Sequence, residues 1–191
     1  MSTSTENKIA THTLIESRWS PRAFSAERVS EEQLEALFEA ARWAPSAMNE
    51  QPWRFVYAAK EEEAFERLGS LLVEGNSWAK KAAALFVSIA KTSYDYNGNS
   101  NRHAWHDLGL ATGNLLLQAT GLGLHVHLMG GFDAAKAKQE LGIPDGYEAV
   151  AMGAVGYAGD PESLPETLKA RELAPRKRKP LHEIAFKGEW K

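Results

Sequence analysis

Three groups of residues have the types and spacing to do chemistry. The first is cationic: Arg18 and Arg22 near the start of the chain, and the run Arg176-Lys177-Arg178-Lys179 near its end. A phosphate dianion needs two or three guanidinium or ammonium partners, bidentate where geometry allows. By itself a basic run in a tail is more often a solvated charge cluster. The second group is the stretch Ala44-Pro45-Ser46-Ala47-Met48-Asn49-Glu50-Gln51-Pro52-Trp53. Two prolines stiffen it, and each steers the residue before it away from helical geometry. Between them Ser46, Asn49 and Gln51 offer neutral donors and acceptors, suited to a flat, neutral, multiply hydrogen-bonding ring. The third is Gly130-Gly131, where a backbone N–H could approach a ligand closely; a plain strand-to-helix turn is the alternative. A ligand with one anionic end and one flat neutral end would use all three groups.

Other chemistries find less support. The chain has no cysteine, which removes disulfides, thiol catalysis, cysteine-ligated zinc and iron–sulfur clusters. Redox chemistry would have to come from a bound cofactor or a non-cysteine metal site. His125 and His127 would share one face of a strand, and His103 and His106 one face of a helix. Neither pair has an evident third ligand, so packing or surface roles are favoured over a metal. There is no Gly-x-Gly-x-x-Gly fingerprint and no Gly-x-Ser-x-Gly elbow.

The 191 residues suit one domain with arms, and 43% apolar content is that of a globular chain. A net charge of −3 gives no general attraction to nucleic acid or anionic lipid. No apolar run is long enough to span a bilayer, and the polar start lacks a signal-peptide pattern, so the expectation is a cytoplasmic protein. Residues 1–12 read as a flexible segment and 13–191 as the domain.

The positioning elements follow from periodicity. Ser30-Glu31-Glu32-Gln33 forms a capping box opening a helix with Leu34, Leu37, Phe38 and Ala41 on one face, ended by Pro45. Trp53–Tyr57 alternates as a strand. Residues 61–74 predict a second amphipathic helix, and 82–90 a strand buried on both faces. The polar stretch 92–101 reads as a lid or interface loop. Residues 102–121 predict a helix apolar over most of its circumference, hence buried, with Gly109 and Gly113 packed closely. A strand over 124–129 leads to Gly130-Gly131, then an Asp133-capped helix over 134–141 and a strand over 148–156. From about residue 158 the chain reads as an extended arm with aromatic anchors. The class is α+β, three layers, with a central mixed, mostly antiparallel sheet covered by helices.

The order Arg18-Trp-Ser-Pro-Arg-Ala-Phe24, a capped helix, then Ala44-Pro-Ser-Ala-x-Asn-x-Gln-Pro-Trp53 resembles the nitroreductase family of flavin enzymes. The likeness continues through the Asp107–Gly123 helix, Gly130-Gly131-Phe132-Asp133, Leu141–Pro144, the strand ending Gly156-Tyr157, and Arg176-Lys-Arg-Lys-Pro-Leu181.

The resemblance implies a three-layer α/β/α homodimer with flavin mononucleotide (FMN) at the interface. Arg18, Trp19, Ser20 and Arg22 would hold the phosphate, ribityl chain and pyrimidine edge. Trp19 stands where the family commonly has Arg or His, giving a flat aromatic contact there. Pro45, Ser46, Ala47, Asn49 and Gln51 would border the ring from the partner chain. Met129, Gly130 and Gly131 would line it, with the Gly130 amide near N5, and Asn76 is a further candidate. Arg176 and Arg178 would complete the phosphate clamp. NADH or NADPH would deliver hydride to N5, Arg22 would stabilise the charge on the reduced ring, and an electron-poor acceptor would follow by ping-pong. Acceptor selectivity would be sought at Trp78 and the 92–101 loop. Two readings compete with this one: a flavin-binding protein with little turnover (a carrier, a sensor or a flavin-consuming relative), and a non-flavin dimer whose basic tail contacts an anionic partner.

Overall fold

A computed structural model describes residues 10–190; most of the expected N-terminal segment, residues 1–9, lies outside them. In chain order the elements are α1 (Thr13–Ser17), α2 (Glu31–Arg42), β1 (Trp53–Ala59), α3 (Glu63–Gly69), β2 (Ala84–Lys91), α4 (Ala104–Gly121), β3 (His125–Met129), α5 (Ala134–Glu140), β4 (Tyr147–Gly156) and α6 (Glu166–Glu172). The four strands form one sheet in the order β1-β2-β4-β3. All three pairings are antiparallel, so no parallel pair of a mixed sheet occurs among the described residues.

β2 sits at the centre because it is apolar on both sides; all of its residues except Lys91 are buried. Phe86 points to one core layer with Leu34, Leu37, Leu108 and Leu115 of α2 and α4. Leu85, Val87 and Ile89 point to the other, with Phe65 and Leu68 of α3, Leu71, and Met152 of β4. This alternation produces three layers: α2 and α4, the sheet, then α3 and α5. The expected capping box is formed, with Gln33 N donating to Ser30 Oγ and Ser30 N to Gln33 Oε1.

Four expectations need correction. The helix predicted over 61–74 ends at Gly69. Beyond it the backbone turns to the Gly130 region: Leu72 bridges Phe132, and Asp133 N donates to Leu71 O. Leu71 stays buried, so burial continues where helical geometry does not. Second, α4 is buried along Leu108, Ala111, Leu115 and Ala119, but its other side is open. A Cβ at Gly109 or Gly113 would meet nothing, and Trp105 and Leu110 are exposed. Third, the arm contains the helix α6. Fourth, Trp78 is a core residue, stacked at 6.4 Å on Phe24 and tilted at 4.6 Å against His127, with little of its surface left open to an acceptor.

Candidate functional site

The segment Arg18–Phe24 lies across β3. Trp19 meets the His125 ring edge-on at 5.5 Å, and His127 Nδ1 donates to Pro21 O at 2.8 Å. That bond requires the proton on Nδ1. Phe24 bridges Ala158, and Ser25 N donates to Tyr157 O. The two strand histidines therefore serve as a platform for the arginine segment. Burial pushes both of their pKa values down, with the Pro21 carbonyl and Glu172 opposing the shift at His127.

The tail reaches the same place. Arg18, Trp19, Ser20 and Arg22 share a cavity of about 210 Å³ with Arg171, Glu172, Arg176 and Arg178. Positions about 155 residues apart are thus brought together, as the cationic reading requires. Arg18 Nη1 donates to Ser20 Oγ at 3.2 Å. Its pKa is lowered first by burial, then by the neighbouring Arg178 and Arg176. Arg176 donates Nη1 to Arg18 O at 2.9 Å and Nη2 to Glu16 O at 2.7 Å. Its guanidinium fastens the N-terminal backbone. Arg178 donates Nη1 to Lys177 O at 2.8 Å; the rest of its fork has N–H groups for a ligand.

Glu172 is the site residue that sequence reasoning missed. Its side chain is only 1% exposed and lies 3.7 Å from Arg22 Nη1. Both of its oxygens accept from Arg22 N at 2.9 Å, and Oε1 also accepts from Ala23 N at 3.1 Å. No local pattern announces a partner 150 residues away.

The Gly130 corner follows β3 directly. Asn76 Nδ2 donates to Gly131 O at 2.9 Å, and a Cβ on Gly131 would lie 2.6 Å from that nitrogen. A side chain at 131 would therefore displace the Asn76 amide from this bond. Gly130 is exposed, with open space where its Cβ would be. The Met129 side chain is buried in the core, which leaves its backbone as the part available to a ligand.

The loop Pro45–Gln51 lines no part of the arginine cavity. Met48, Asn49 and Gln51 all adopt positive φ, of 55°, 57° and 50°. Left-handed backbone at non-glycine residues costs energy, and surrounding contacts must impose it. Here Gln51 N donates to Ser46 Oγ, Gln51 Nε2 to Asn49 O, and Ala47 N to the buried Asp107 carboxylate at 2.9 Å. The loop is pinned to α4, with Asn49 and Met48 turned to solvent. The 92–101 loop closes on itself through the Ser93–Ser100 bridge and the Tyr94–Tyr96 ring pair.

Comparison with known proteins agrees with this architecture. The Nitroreductase family model matches residues 15–87 and 73–157. A protein of Archaeoglobus fulgidus, provisionally named NADH dehydrogenase/NAD(P)H nitroreductase, is 31% identical over 162 residues, covering 80% of this chain and 88% of that one. A similarly named protein of Leptothrix cholodnii is 33% identical over 177 residues, covering 81% and 84%. A crystal structure of an oxidoreductase containing FMN superposes with TM-score 0.92 at 39% identity, covering 97% of this chain and 96% of the other. A provisionally named nitroreductase of Desulfovibrio desulfuricans, solved in complex with FMN, gives TM-score 0.72 at 25% identity, covering 93% and 96%. With the family model matching most of the chain, and relatives of 31% and 33% identity covering about four-fifths of it, the chain belongs to the nitroreductase family.

Proposed function

We propose that the protein is an FMN-dependent NAD(P)H oxidoreductase that works as a homodimer. The observation that carries this reading is the convergence of Arg18 and Arg178 on one small cavity from opposite ends of the chain. Burial, then the neighbouring charges of Arg178 and Arg176, lower the Arg18 pKa; a dianion would relieve that repulsion, so the donor set fits the phosphate of FMN. The chemistry a bound FMN supplies is two-electron transfer, with hydride taken from NADH or NADPH and passed by ping-pong to a nitroaromatic, quinone or activated alkene.

The protein's own groups then bind and orient. Arg18 and Arg178 hold the phosphate, while Arg176 fixes the backbone that presents Arg18. Arg22 places positive charge beside the pyrimidine edge. The Gly130 corner, held by the Asn76–Gly131 bond, presents a backbone amide to the ring. The Ser46, Asn49 and Gln51 groups border the ring from a second copy.

Several uncovered surfaces support the dimer. On α4 a Cβ at Gly109 or Gly113 would meet nothing among the described residues, and Trp105 and Leu110 are exposed beside them. Among the described residues β1 ends the sheet with no strand paired on its outer edge, beside a 770 Å³ groove floored by Phe38, Trp53, Phe55 and Tyr57. The arm exposes Leu181, Ile184 and Trp190.

The test is anaerobic mixing of the FMN-loaded protein with NADH or NADPH. Bleaching of the flavin, followed by its recovery with a quinone or nitroaromatic, is expected. A loaded protein that neither donor bleaches would be a flavin carrier, and a colourless protein that cannot be reconstituted would refute the reading. Light scattering should give twice the chain mass.

A further inference from the structure

Glu172 carries more than a tether needs. To hold the Arg22 and Ala23 amides a neutral oxygen would do, at a smaller desolvation cost than a carboxylate. The structure instead encloses a full negative charge, 1% exposed, 3.7 Å from the Arg22 guanidinium. The His127 ring, on its Pro21 bond, feels both charges. Arg22 is therefore not an isolated cation: a buried carboxylate that borders the same cavity offsets part of its charge.

We propose that Glu172 is a positioning residue that sets the reduction potential of the bound flavin: it holds the Arg22 backbone in place and offsets its charge. The inference rests on the FMN reading and on Arg22 facing the pyrimidine edge. Two-electron reduction with uptake of one proton at N5 leaves a negative charge on that edge. A lone guanidinium would favour the reduced ring strongly, while one paired with a buried carboxylate favours it less. The paired arrangement keeps the reduced flavin a stronger donor towards the acceptor.

The test is an anaerobic dye-coupled redox titration of FMN-loaded wild-type, Glu172→Gln and Glu172→Asp proteins, beside FMN titration of each. Glu172→Gln keeps an oxygen for the two amides and removes the charge. Its potential should rise, with reduced FMN favoured over oxidised about tenfold more than in the wild type, or ~30 mV for a two-electron couple. Glu172→Asp withdraws the carboxylate from Nη1 and should shift the potential in the same direction by less. If Glu172→Gln does not fold, the aspartate variant still decides. Variants that hold FMN at the wild-type potential would reduce Glu172 to a scaffold tether and overturn the proposal. A wild-type chain that takes up no FMN would overturn the flavin reading itself, and this inference with it.

Discussion

Arg18→Ala separates ligand binding from fold stability. Arg18 and its neighbours Arg176 and Arg178 repel one another, and burial adds to the cost of its charge. Among the described residues its guanidinium donates within the chain to Ser20, at 3.2 Å. Removing the side chain should therefore leave the unfolding free energy of the FMN-free protein within about 0.5 kcal/mol, or raise it slightly. The same change deletes a charge-assisted phosphate contact, a loss of about 1.5–3 kcal/mol. That corresponds to about 10- to 150-fold weaker FMN binding. Arg176→Ala should behave differently. Its guanidinium holds the Glu16 and Arg18 carbonyls, so its loss should lower both stability and affinity. Urea titration of the FMN-free proteins and quenching of flavin fluorescence supply the two readouts. Raising salt should weaken FMN binding less in Arg18→Ala than in the wild type. An Arg18→Ala protein that destabilises strongly, or that binds FMN as well as the wild type, would refute the clamp as drawn.

Further changes probe the supports of the site. Gly131→Ala places a Cβ 2.6 Å from Asn76 Nδ2 and 3.1 Å from Val73 Cγ2, and should cost about 1–3 kcal/mol by urea titration. Gly130→Ala meets open space and should stay within about 0.5 kcal/mol; equal costs would misplace this corner. Asp107→Ala strands the Ala47 N–H and should cost about 1–3 kcal/mol while exposing the 46–51 loop to protease. Asp107→Asn, which keeps an acceptor, should lose less. Burial depresses the His127 pKa below the usual 6.5, so above pH 6.5 neither the folded nor the unfolded ring is charged and stability is full. Below it the unfolded chain takes up a proton that the folded ring resists, and stability falls as pH drops towards the folded pKa. His127→Gln should flatten this fall in urea midpoints between pH 5 and 8; an unchanged slope would show that the ring is not the group responsible.

Local signals in the sequence were faithful where local physics decides. The Ser30–Gln33 box, the doubly apolar β2 and the buried line of α4 formed as their spacing demands. They misled where distant backbone intervenes. Leu71 and Leu72 kept helical spacing, yet Asp133 N and Phe132 drew that backbone out of helix. α6 was hidden in a proline-bounded polar tail, since no buried stripe marks it. The apolar circumference of α4 read as full burial, whereas among the described residues the Leu108–Ala119 line is covered and Trp105 and Leu110 are exposed. The arginine ends were legible as a pair because phosphate chemistry demands several cations. Glu172 was not, because a buried carboxylate bonded to amides 150 residues away has no spacing to read. The positive φ at Met48 was equally hidden, as methionine carries no preference for it.

The central claim is that two arginine-bearing ends of one chain grip a phosphate. Parallel titration of the protein with FMN and with riboflavin, which differ only by that phosphate, tests it most directly. At least a hundredfold preference for FMN, on the order of two charge-assisted contacts, is predicted, and it should collapse in Arg18→Ala and Arg178→Ala. Equal affinity for the two flavins in the wild type would contradict the account.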